Sequence, residues 1–178
     1  EKAITMARAA GFKSISVDLI YGTPGESLED WRETVAAALA DLAGAALEGA
    51  IEIARYELKN TTEHGSFKAE EIDATRFSVI AMGKCGAREL NYISDVDVIY
   101  VADSGSQNVE RERALEIATK LATRMMRAMD ATSSEPMLWQ VDPNLRPEGK
   151  SGALVRTVDS HVTYYEKWAS NWEFQALL

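Results

Sequence analysis

The sequence predicts an α+β fold, a small mixed sheet flanked by helices. Three observations carry this reading. Apolar, β-branched runs near 77–82, 95–102 and 137–142 have the length and composition of strands. Stretches with helical spacing surround them at 42–58, 110–130 and 158–178. Finally, 178 residues with 46% hydrophobic and 26% charged content suffice for one ordinary core, or a core plus an appendage.

Residues 1–40 read as a helix–strand–helix appendage to a domain at 41–178. "AITMARAAG" is helical, with Gly11 as its C-cap. "SISVDLIYG" is apolar at both parities, as in a strand buried on two faces. "TPGES" is a turn, and Ser27 caps "LEDWRETVAAALA". A single α/β unit cannot bury its own strand, so this piece needs support from elsewhere.

From Asp41 the character changes. "DLAGAALEGAIEIARYEL" presents Leu42, Ala46, Ala50 and Ile53 along one helical face, and 59–76 is polar and reads as a loop. "FSVIAMG" is a strand, followed by a glycine turn, a short helix and the strand that opens at Asp95. The next helix places Ala114, Ile117, Leu121, Met125 and Ala128 on one face. "MLWQVD" is a strand, "PNLRPEGKSG" a loop, and a single last helix begins with Thr157 or Asp159 as its cap. Trp139, Trp168 and Trp172 read as core anchors, the last two one helical turn apart. His64 and His161 read as surface or packing residues rather than catalytic ones.

The bulk numbers narrow the partners. A net charge of −9 opposes nucleic acid as a ligand, because a phosphate backbone needs a positive face. A small anion can still be held locally. Apolar residues never run for the roughly 18 positions that span a bilayer, and the start shows no export leader. A cytoplasmic chain with no membrane partner is the expectation. The single cysteine, Cys85, allows no internal disulfide and no cysteine zinc site. Lacking an initial Met and a helix stop after "WEFQALL", the chain reads as a fragment.

The chemistry concentrates in "GKCGARELNYISDVD", Gly83 to Asp97. Asp95 and Asp97 share a strand face, with Cα atoms about 6–7 Å apart. Two such carboxylates call for a positive charge between them. Mg²⁺ is one answer, and Arg88 or Arg146 is the other. Gly83 and Gly86 let backbone N–H groups approach a phosphate, and Ser94 can donate to the same anion. Asp142 ends "MLWQVD"; if that strand pairs beside the first, it completes an acidic triad.

Two resemblances follow. "ARAAGFKSISVDLIYGTPGESLEDWRETVAAAL" resembles one barrel step of the oxygen-independent coproporphyrinogen oxidase and haem-chaperone group of radical S-adenosylmethionine proteins. That chemistry needs a CxxxCxxC triplet, and one cysteine cannot supply it, so residues 1–40 are expected to be non-catalytic. The glycine pair, with Gly83 twelve residues before Asp95, the Ser-Asp-x-Asp and the later Asp142 resemble the nucleotidyltransferases of the DNA polymerase β-like superfamily. Lys84 stands where that pattern often has Ser, exchanging a hydroxyl for a charge. Within the superfamily, "MGKCGARELNYISDVDVIYV" and "VDPNLRPEGKSGALVRT…YYEKWASNWEFQALL" resemble the glutamine synthetase adenylyltransferase family, and its N-terminal, adenylyl-removing domain most closely.

The resemblance implies a polymerase β-like fold and phosphorolytic removal of AMP from a tyrosine of glutamine synthetase, or AMP transfer from ATP. It makes Asp95, Asp97 and Asp142 the catalytic and Mg²⁺-holding acids. It lays Gly83, Lys84, Gly86 and Ser94 along the nucleotide phosphates, with Arg146 and Lys150 on the phosphate or phosphoryl group and Arg156 a weaker candidate. Asn144 departs from the family's usual "D-x-R-L-R-P", removing one cationic contact. Glutamine synthetase, ATP or ADP, phosphate and a PII-type signalling protein are the implied partners. The alternative from another class is a non-catalytic module that binds nucleotide or protein.

Overall fold

The structure, a computed structural model, describes residues 22–60, 67–130 and 139–177, with Met6, Ala9, Ile20 and Met137 singly. The expected strand "SISVDLIYG" and His64 lie outside the described residues, apart from Ile20 and Gly22 at the end of that strand. Two compact units divide the chain, Glu1–Glu33 and Thr34–Leu178. Everything below from Thr34 onward belongs to the second.

Helix α1 spans Leu28–Asn60 without a break, so the two helices expected on either side of position 40 are one element of 33 residues. It starts as the sequence predicts. Ser27 N donates to Asp30 Oδ2 at 2.8 Å, and Asp30 N donates back to Ser27 Oγ at 3.1 Å. The Ser27 hydroxyl, which donates to Asp30 Oδ2 at 2.7 Å, and then the Ser27 N–H hold the Asp30 carboxyl below its usual range. The buried stripe of α1 differs from the expected one. It is Ala40, Ala43, Leu47, Ala50, Ala54 and Leu58, while Leu42 and Ile53 are about half exposed. The true stripe is alanine-rich because small side chains let the helix sit close to its neighbours, at the expense of two larger residues turned outward.

Among the described residues α1 is also the one helix long and apolar enough, by length and composition, to cross a membrane. Its apolar run is interrupted by Asp41 and Glu48. Polar bonds tie it to the rest of its unit. Arg55 Nη1 donates to the Ile72 carbonyl at 3.0 Å, Lys59 pairs with Asp73 at 2.5 Å, and Glu57 pairs with Arg124 at 3.1 Å.

The stretch expected to be a loop instead contains helix α2, Ala69–Ala74, and the first residues of strand β1, Thr75–Ala81. A four-residue helix α3, Gly83–Gly86, follows, then β2, Val96–Ser104, and helix α4, Arg111–Met129. Strand β2 is the hub. Along one edge it pairs antiparallel with β1 from Thr75↔Ser104 to Ala81↔Val98. Along the other it pairs in parallel with two short strands in succession. These are β3, Val141–Asp142, against Val96 and Asp97, and β4, Val155–Arg156, against Tyr100 and Val101. The chain therefore leaves the sheet edge at Asp142, makes an excursion, and returns to the same edge at Val155. Parallel pairing of β2 and β3 needs a crossover, and α4 lies on that connection.

Side-chain alternation gives β2 two faces. Val96, Val98, Tyr100 and Ala102 are buried in the core, with Ile117, Ala118, Leu121, Ala122 and Met125 of α4 in the same cluster. Four of the five expected α4 positions are fully buried, and Ala128 packs at the margin. The other face of β2 carries Asp97, Ile99, Val101 and Asp103.

The last expected helix is two. Helix α5, Val158–Lys167, is capped by Thr157, whose Oγ1 accepts from Ser160 N at 3.1 Å. Asp159 is not the cap; it lies 3.3 Å from Arg111. The chain breaks at Trp168 and restarts as α6, Asn171–Gln175, with Ser170 and Glu173 forming a capping box. The break removes the one-turn spacing of Trp168 and Trp172, and both are more than half exposed, so they anchor no core. Trp139 is buried as expected.

Candidate active site

The glycine turn, the mouth of β2 and the end of β3 meet at one corner of the sheet. Met82 N donates to the Asp97 carbonyl at 2.9 Å, which seats α3 directly on β2. Gly83 has φ +52, and a Cβ there would stand 3.0 Å from Asp97 Oδ2. Gly86 is held tighter: a Cβ would meet the Ala81 carbonyl at 2.5 Å. Both glycines are therefore required by close approach, Gly83 to a carboxylate and Gly86 to backbone.

Asp97 is half-buried on β2, and Asp142 is its register partner on β3. Strand pairing thus places the two carboxylates side by side, the arrangement that the sequence reading left conditional. Asp95 lies one residue before the strand and is exposed. Burial first, then the charges of Asp142 and Asp95, push the Asp97 carboxyl above its usual range, while Lys84 pulls the other way. All three acids and Lys84 therefore share one electrostatic field. One Asp142 oxygen is already committed, accepting from Asn144 N at 2.8 Å in an Asx turn. Burial and the Asp97 charge also raise the Cys85 thiol, so it is a packed thiol rather than a nucleophile.

The cations expected at the phosphate divide differently. Arg146 is buried, and its guanidinium donates to the Gly152 carbonyl at 3.3 Å and the Pro143 carbonyl at 2.9 Å. It is pinned inside the 143–152 loop. Arg156 pairs with Glu148 and donates to Ser160 Oγ at 3.3 Å. Lys84 and Lys150 are exposed, Lys150 on a 3₁₀ turn at Gly149–Ser151. Arg88, considered for Asp97, instead pairs with Asp41 of α1 at 2.6 Å. Ser94 is half-buried beside Asp95, in a cleft of about 510 Å³ that Tyr92, Trp139 and Gln140 also line.

No group of three or more His, Cys, Asp or Glu among the described residues is gathered closely enough to ligate one metal ion. The donors themselves are of the type that Mg²⁺ takes, since all three are hard carboxylates. Sequence reasoning missed the polar contacts behind this corner. Tyr164 OH donates to Glu173 Oε1 at 2.8 Å and accepts from Glu148 N at 3.3 Å. A buried acid three residues after a serine N-cap was the signal available. His161 is buried with Nδ1 3.0 Å from the Thr157 carbonyl, and burial lowers its imidazole below the usual range.

Comparison with known proteins supplies the family. A sequence model of the family described as glutamate-ammonia ligase adenylyltransferase matches residues 26–178, beginning inside the segment 1–40. The chain is 57% identical over 145 residues to a protein of Leifsonia xyli, covering 81% of this chain and 14% of that protein. A relative from Bifidobacterium longum subsp. infantis is 43% identical over 180 residues, covering 99% and 16%. One from Mycobacterium avium is 49% identical over 144 residues, covering 81% and 12%. Each of these relatives is named a bifunctional glutamine synthetase adenylyltransferase/adenylyl-removing enzyme. The chain thus spans about one-seventh of the length of the relatives it matches. With the family match running over residues 26–178, this chain belongs to the glutamate-ammonia ligase adenylyltransferase family.

Proposed function

We propose that this chain is a nucleotidyltransferase domain of polymerase β-like fold that removes AMP from an adenylylated tyrosine of glutamine synthetase. The observation that carries the reading is the register pair Asp97↔Asp142 beside the glycine turn. In the removal direction an oxygen of inorganic phosphate attacks the AMP phosphorus in line. The P–O bond to tyrosine breaks, the phenolic oxygen takes a proton, and ADP leaves. Lys84 and Lys150 supply positive charge toward the phosphates, and the glycine turn gives them room. Asp95, Asp97 and Asp142 would hold Mg²⁺, which when bound neutralises charge on the phosphoryl oxygens. In the opposite direction, the tyrosine hydroxyl attacks the α-phosphorus of ATP and Asp142 accepts its proton.

Calorimetric titration of ADP with Mg²⁺ into the chain and into Asp95→Asn/Asp97→Asn tests the site, followed by release of ADP from adenylylated glutamine synthetase. Metal-dependent binding that disappears in the double variant, with turnover lost and the fold intact, is the expected result. Turnover retained in both single variants would remove the proposal. A second reading, a non-catalytic nucleotide- or protein-binding module, draws on the open acid set and the pinned Arg146. It expects thermal stabilisation by nucleotide with no AMP transfer.

A further inference from the structure

The excursion between β3 and β4 is held partly from within and partly from outside. Its near end is fixed by Asp142, through Asn144 N, and by Arg146, which clamps the Pro143 and Gly152 carbonyls. The far end contains two consecutive left-handed residues, Glu148 at φ 63 and Gly149 at φ 54. Glycine adopts that region freely, whereas glutamate does so only against a cost that its surroundings must offset. Those surroundings come from α5 and β4. Tyr164 OH accepts from Glu148 N, and the Glu148 carboxylate pairs with Arg156, whose guanidinium lies 5.9 Å over the Tyr164 ring.

Tyr164 is fixed in turn. Its hydroxyl donates to Oε1 of Glu173, an acid only 5% exposed, whose Oε2 accepts from Ser170 N at 2.7 Å. A buried carboxylate with both oxygens bonded has one geometry available, and the phenol inherits it.

We propose that Tyr164 and Glu173 are positioning residues. Together they latch the left-handed bend at Glu148, and through the 143–152 loop they set the orientation of Asp142 and the placement of Lys150. The path runs from Glu173 to Tyr164, to Glu148, through the Arg146-clamped loop, to Asn144 and the Asp142 carboxylate. Neither residue touches substrate. The catalytic consequence rests on the nucleotidyl-transfer reading, but the latch itself does not.

The test separates the two. Amide hydrogen exchange is measured on the 178-residue chain and on Tyr164→Phe, Glu173→Ala and Glu173→Gln, with the unfolding midpoint of each. Asn144 N–H reports directly on Asp142, because its bond is to that carboxylate. At an unchanged midpoint, exchange at Glu148 and Asn144 at least tenfold faster in Tyr164→Phe and Glu173→Ala is expected. Glu173→Gln, which keeps one acceptor oxygen, should restore part of the protection. Faster exchange confined to Glu148, with Asn144 unchanged, overturns the positioning role, as does unchanged exchange at both. Where the wild-type chain turns over, kcat should fall at least fivefold in Tyr164→Phe at unchanged KM for the adenylylated substrate; unchanged kcat also overturns it. A wild-type chain without turnover would count against the functional reading and leave the exchange result to decide the latch.

Discussion

At the scale of single residues, the corner around Asp97 is built against stability. Its carboxyl is raised by burial and then by Asp142 and Asp95, so the folded state holds its proton more tightly than the unfolded chain does. The stabilising contribution of protonated Asp97 is therefore complete below about pH 3.8, its ordinary value, and is lost as pH rises through the raised one. At pH 7 the ionised group is a net cost. Asp97→Asn should then raise stability in metal-free buffer at pH 7. Thermal melts should show that advantage shrinking to nothing toward pH 3; an Asn variant less stable at pH 7 would contradict the account. The glycines make the complementary case. Gly86→Ala forces a methyl group to 2.5 Å from a backbone carbonyl and should cost about 2–4 kcal/mol by denaturant titration. Gly83→Ala meets a movable carboxylate and a left-handed φ, and should cost about 1 kcal/mol. Its larger effect falls on Asp97, the group that it displaces. Two other left-handed residues, Arg88 and Glu148, flank the same corner, and each is held by an ion pair, Arg88 to Asp41 and Glu148 to Arg156.

At the scale of elements, what was legible depended on how strongly pattern and packing agree. Helix α4 shows its period plainly, because large apolar residues and buried positions coincide at Ile117, Leu121 and Met125. Leu121→Ala should cost about 2–5 kcal/mol, and retained stability in a chemical melt would show that it lies outside the core. Helix α1 misled for the opposite reason. Its large residues Leu42 and Ile53 point outward, while Ala43 and Ala54 are fully buried, and hydrophobicity alone does not separate an interior alanine from a surface one. Ala43→Leu should be destabilising by about 1–3 kcal/mol through overpacking, although it adds apolar surface. The pairing of "VD" at 141–142 beside the mouth of β2 stood in the sequence only as a condition, and the register Asp97↔Asp142 meets it. The fate of Arg146 was not readable. Whether an arginine faces a ligand or clamps its own loop depends on carbonyl positions, and those follow from the left-handed bend at Glu148.

At the scale of the molecule, 28 acidic residues against 19 basic ones set a field that opposes anionic ligands and favours cations. Monovalent salt should stabilise the chain generally, by screening repulsion spread over the whole surface. Divalent cations should do so through the corner of the sheet as well. At ten times its Kd, a single-site ligand stabilises by about 1.4 kcal/mol. For a chain of this size that corresponds to roughly 3–6 °C in Tm. The decisive comparison is between MgCl₂ and NaCl at equal ionic strength, in wild type and in Asp97→Asn. Screening acts on both proteins alike, whereas a bound ion stabilises only the one that keeps its carboxylates. An excess shift with Mg²⁺ in wild type, absent in Asp97→Asn, would tie the charge of the molecule to the register pair Asp97↔Asp142. Equal shifts in the two proteins would mean that Mg²⁺ acts only as a screening salt. The three acids would then be carrying their mutual repulsion without a metal to relieve it, and the binding-module reading would be the better account of the domain.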